Sequence, residues 1–129
     1  MIGRRILKGQ RIPYDIHDEL TASASRFESL LADITAAESV IPTEALPYYR
    51  TFLKHQTEYM MLATKWCACC YELAAAASSD RPVIQARAVS CLERILRARK
   101  IEEQGSWQGW YKGDAKFNIP ECLYMTRGC

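Results

Sequence analysis

The stretch YRTFLKHQTEYMMLATKWCACCYELAAAA, residues 49–77, decides the fold. Tyr49, Phe52, Leu53, Tyr59, Met60, Ala63, Trp66, Cys67, Cys70, Leu73 and Ala74 recur at spacings of three and four, which predicts one long amphipathic helix. Pro47 suits its first turn, and Thr43 can cap a short turn before it. At 1.5 Å per residue such a helix runs about 45 Å, enough to be the spine of a domain.

Upstream, Pro13 or Asp15 opens an earlier helix with acids at Asp15, Asp18 and Glu19 near its start. Ile16, Leu20, Phe27, Leu30, Leu31 and Ile34 form its apolar stripe, and Val40-Ile41-Pro42 closes it near Glu38. Downstream, Ser78-Ser79-Asp80 interrupts the spine. Asp80 is a good N-cap, and Pro82 is tolerated in the first turn that follows. Ile84, Ala88, Cys91, Leu92, Ile95, Ala98 and Glu102 line this third helix, which Gly105 ends. Short loops force antiparallel neighbours. The expectation is a mostly α chain: a basic arm over residues 1–12, an antiparallel up-down-up three-helix bundle over 13–104, and an irregular aromatic segment over 105–129 packed on it. No strand-type run or internal repeat is present.

A chain of 129 residues fits one domain without staples. Its 49% hydrophobic and 25% charged residues are ordinary globular values. A net charge of +2 argues against a dedicated nucleic-acid binder. Arg4, Arg5, Lys8 and Arg11 concentrate positive charge in the first twelve residues, where it reads as a solvated terminus or a contact for an acidic partner. No apolar h-region follows Met1 and no run spans a bilayer, so the chain as written reads as soluble and cytoplasmic. Six cysteines, Cys67, Cys69, Cys70, Cys91, Cys122 and Cys129, read as reduced thiols, because three of them crowd into the middle of a helix.

Candidate chemistry is sparse. Cys67 and Cys70 make a C-x-x-C in mid-helix, whereas zinc sites put it on a turn and redox sites at a helix N-terminus. His55 and Glu58 form H-x-x-E, without the second copy that bundle di-iron sites use. Arg87 and Arg94 lie one heptad apart, with Glu93 and Glu102 interleaved as on a solvated face. No nucleophile–base pair, phosphate loop or paired-carboxylate constellation stands out. The expectation is therefore no catalytic residue, no metal and no cofactor.

The tail is the one segment that departs from plain helix. Gly105-Ser106-Trp107-Gln108-Gly109-Trp110-Tyr111-Lys112-Gly113-Asp114-Ala115-Lys116-Phe117-Asn118 mixes glycines, aromatics and charges. Two readings stand side by side. The aromatics fold back and close one end of the bundle, with Gly109 and Gly113 supplying turns. Alternatively they stack on a sugar while Asp114 and Asn118 bind hydroxyls. The candidate contact residues are Trp107, Trp110, Tyr111, Lys112, Asp114, Lys116 and Asn118.

Two stretches, Tyr49 to Trp66 and Arg97 to Trp107 leading on to Trp110-Tyr111-Lys112-Gly113-Asp114-Ala115-Lys116-Phe117-Asn118, resemble the helical region after the catalytic barrel of large bacterial glycoside hydrolases. The resemblance covers roughly residues 45–120. It implies a non-catalytic accessory domain that packs on a glycoside hydrolase catalytic domain, or self-associates through the orphaned surface, with the barrel's acid and base carboxylates absent. A parent enzyme of that kind would be periplasmic or secreted, and this chain would be a fragment of it, a split gene product or a free-standing relative. The alternatives are a small carbohydrate-binding module built on the tail, with an oligosaccharide as ligand, and a helical protein that meets an acidic partner through its basic arm.

Overall fold

The structure is a computed structural model and describes residues 2–102 and 118–129. Its helices are α1 (Ile2–Leu7), α2 (His17–Ala36), α3 (Leu46–Tyr49), α4 (His55–Ala75), α5 (Arg81–Glu102) and α6 (Ile119–Arg127). Two 3-10 turns, Ala37–Val40 and Thr43–Ala45, lead into α3, and a π-helical turn, Arg50–Lys54, joins α3 to α4. The described residues are mostly helical and contain no strand. None of the helices among them is long and apolar enough to cross a membrane.

α4 is the spine. Thr57, Met61, Leu62, Ala63, every residue from Trp66 to Cys70, and Leu73 are buried. Burial on several faces of one helix needs neighbours on several sides. α2, α5 and α1 supply them, and α6 packs on α5 and α1. Direction follows from pairs along α4. Glu72, near its C-terminal end, meets His17 at the start of α2, and Lys65 one heptad earlier meets Glu28. Arg87 meets Glu72, and Arg94, one heptad further along α5, meets Glu58. α2 and α5 therefore both run antiparallel to α4. The core they enclose holds Leu62, Trp66, Leu73, Leu92 and Ile95, each at most 2% exposed. Complete burial of an aliphatic side chain of this size contributes about 1.5–3 kcal/mol.

The two ends of the chain differ from the expectation. The basic arm contains a helix. Ile2, Ile6 and Leu7 in α1 pack on the core, and Gly3 is buried against Trp66. Gly9, at φ 70°, ends it: Gly9 N–H donates to Ile6 O and Gln10 N–H to Arg5 O, the paired bonds of a Schellman stop. The segment expected to be irregular over 105–129 carries α6 over its last part. Asn118 caps α6 by accepting from Glu121 N–H at 3.1 Å, and Pro120 sits in the first turn. Ile119, Cys122, Leu123 and Thr126 form its buried face.

The spine also differs in phase. Phe52, Leu53 and Met60, placed in the core stripe from sequence, are 55%, 43% and 44% exposed, while Met61 and Leu62 are buried. The π turn has a longer repeat than the α-helix, so residues on its two sides do not share one 3.6-residue phase. It brings Arg50 Nε and Lys54 Nζ each to 3.1 Å from Glu38 Oε1, pinning the end of α2 to the start of the spine. Arg50 first, then Lys54, holds the Glu38 carboxyl below its ordinary range. The Tyr49 hydroxyl donates to Ile34 O at 2.7 Å and reinforces the same junction.

Candidate docking groove

The side chains on the inner edges of α2 and α5 are small. Thr21, Ala24 and Ser25 on α2 face Ala86 and Ser90 on α5 across Ala68 and Cys69 of α4. Short side chains cannot bridge the space between two helices that each seat on a third. An open groove of 820 Å³ results, closed at its edges by Lys65, Glu72, Pro82, Val83, Arg87 and Cys91. Its floor is apolar, and Val83 stands 67% exposed on one wall.

The two walls differ in charge. Asp18, Glu19, Glu28 and Asp33 make α2 acidic against a single Arg26. Arg81, Arg87, Arg94, Arg97, Arg99 and Lys100 make α5 basic against Glu93 and Glu102. Nearest the groove, Glu28 falls in line with Thr21 and Ser25 on α2, while Arg94 lies one heptad beyond Arg87 on α5. The Glu28 side chain is 64% exposed at 3.4 Å from Lys65, and Arg94 is 44% exposed at 3.7 Å from Glu58.

One network ties both walls to the floor. Glu72 Oε1 lies 3.1 Å from His17 Nε2 of α2, and Glu72 Oε2 accepts from Arg87 of α5. The bond to Glu72 raises the His17 imidazole above its ordinary value, against the opposing effect of burial, and Asp18 adds to the rise. Burial pushes the Glu72 carboxyl upward, but His17 and Arg87 outweigh it and leave it below its ordinary value. Sequence reasoning missed this triad, since its members lie 55 and 15 residues apart and no local spacing announces them.

Two other hollows lie among the described residues. A 720 Å³ cleft between the start of α2 and the end of α4 is lined by Asp15, Asp18, Glu19 and Glu72 around His17. An open hollow of 900 Å³ lies beside α6, lined by Leu7, Leu96, Leu123 and Tyr124.

Five of the six cysteines are packed thiols. Cys67, Cys69, Cys70, Cys91 and Cys122 are free and buried, and Cys129 is free and exposed. Burial raises all of them: Cys67 and Cys122 to about 11, Cys69 to about 12, with Cys70, Cys91 and Cys129 also displaced upward. A thiol held protonated at neutral pH is a poor nucleophile and a poor metal ligand. Among the described residues no group of His, Cys, Asp and Glu is arranged to hold a metal ion. His55 and Glu58 instead line a 10 Å³ crevice with Tyr59, Leu62 and Ile95, too small for a ligand.

Of the contact residues expected from the tail, Trp107, Trp110, Tyr111, Lys112, Asp114 and Lys116 lie outside the described residues, as does the helix stop expected at Gly105. Asn118 is described, and its side-chain oxygen serves as the cap of α6. Arg4 is ion-paired with Glu121 at 2.6 Å, and Arg87 with Glu72. No protein-family model, no curated protein and no solved structure matches the chain.

Proposed function

We propose that this chain is a non-catalytic helical accessory domain that docks a protein partner over the groove between α2 and α5. The observation that carries the reading is the groove itself: 820 Å³ of open space over an apolar floor, walled by small side chains. Among the described residues nothing fills the space between these two helices on the third, which leaves apolar surface that a partner can cover. The thiols nearest it, Cys69 and Cys91, are buried with raised pKa values, which fits packing better than chemistry. The resemblance over residues 45–120 supplies the class of partner, a glycoside hydrolase catalytic domain.

The test is affinity capture from cells that make the chain, comparing wild type with Ser90→Arg in the groove wall and Tyr124→Arg on α6, both exposed positions. The expected result is a partner retained by wild type and Tyr124→Arg and lost with Ser90→Arg. A partner held equally by all three variants would place the docking surface elsewhere and remove the reading.

A further inference from the structure

The occupant of the groove is legible in its charge. The space has the form of a missing helix position: α2 and α5 point the same way on either side of α4, as three members of a four-helix arrangement do. Floor and inner walls are small, with Ala24, Ala68, Ala86 and Ser90 letting a backbone approach closely. The outer edges carry opposite signs, Glu28 on α2 and Arg87 and Arg94 on α5. These three side chains are 64%, 56% and 44% exposed, so each keeps capacity for a second partner beyond its intramolecular one.

We infer that the groove receives a single amphipathic α-helix of a partner protein, with lysines or arginines along one flank of its apolar stripe and glutamates or aspartates along the other. The basic flank lies against α2 and the acidic flank against α5. This rests on the docking reading above and adds the chemistry of the segment that docks. Such flanking charges set partner choice and orientation, as the e and g positions of coiled coils do. A helix with like charge on both flanks meets repulsion along one wall whichever way it runs. The mixed helix avoids repulsion in one direction only, so the groove also fixes polarity.

Three synthetic helical peptides sharing one apolar stripe test this by fluorescence anisotropy with the full chain: one flanked by Lys and Glu, one by Lys on both sides, one by Glu on both sides. The mixed peptide should bind about tenfold more tightly than either uniform peptide at low salt, with the gap narrowing at high salt. Glu28→Lys makes both groove edges basic and should shift the preference to the all-Glu peptide. Equal binding of the three peptides, or binding of none, overturns the inference. A concentration-dependent dimer lost on Ser90→Arg also overturns it, in favour of a second copy of the chain. If affinity capture yields a Ser90-dependent partner while no peptide binds, the docking reading stands and the helical occupant falls.

Discussion

Trp66 joins three elements through two contacts. Its ring lies under Gly3 of α1, and its indole N–H donates to Thr126 Oγ1 of α6 at 3.0 Å. Thr126 in turn donates to Cys122 O, so a buried hydroxyl and a buried indole satisfy each other. A methyl group on Gly3 would lie 2.6 Å from Trp66 Cζ3 and 3.2 Å from Cys70 Sγ. Neither atom is the loose end of a flexible chain. Gly3→Ala should therefore cost about 1–3 kcal/mol through overpacking, read as a lower denaturation midpoint with an unchanged m value. No loss would mean that α1 is not seated on Trp66. The cysteines give a second residue-level outcome. Ellman's reagent should titrate Cys129 in the native chain and the five buried thiols only on unfolding. The burial of Cys67, Cys69 and Cys70 follows from their mid-helix placement, which is local information. The role of Gly3 was not legible, since only the tertiary approach of Trp66 gives that glycine its meaning.

At the scale of the element, boundaries were better marked than phase. Asp80 and Pro82 announced the start of α5 within a residue, because caps and prolines act locally. The π turn at Arg50–Lys54 carries no comparable mark, and Phe52 and Leu53 within it stand exposed. α1 and α6 were both readable in principle. Ile2, Ile6 and Leu7 before Gly9, and Asn118-Ile119-Pro120-Glu121 before Cys122, Leu123 and Thr126, are short amphipathic patterns with proper ends. The basic charge within one and the aromatic composition before the other mask these patterns. The junction of α2 with α4 should respond to pH through His17. Its folded pKa lies above its ordinary 6.5, so its contribution is complete below that value and fades as pH rises through the raised one. Glu72 must stay ionised, and its depressed pKa keeps it so down past its ordinary 4.5. His17→Gln should then lower the melting temperature most between pH 4.5 and 6.5, relative to wild type, with the difference shrinking as pH rises through the raised His17 value. A pH-independent difference would contradict the pairing with Glu72.

The whole molecule is a buried helix with neighbours unevenly spread around it. Sequence periodicity identified α4 as the spine and α2 and α5 as its long neighbours, because each bears an apolar stripe. It could not show that α2 and α5 leave a groove, which depends on small residues 21, 24, 25, 86 and 90 meeting across the third helix. Nor could it bring His17, Glu72 and Arg87 together. The docking role rests on that groove, and photo-crosslinking tests it most directly. A photoreactive amino acid would be placed at Ser25 or Ser90 on the two walls, and at Tyr124 on α6 as control, in cells that make the chain. The account predicts that Ser25 and Ser90 each capture the same protein, through one segment, and that Tyr124 does not. Capture at Tyr124 alone, or different proteins at Ser25 and Ser90, would contradict it.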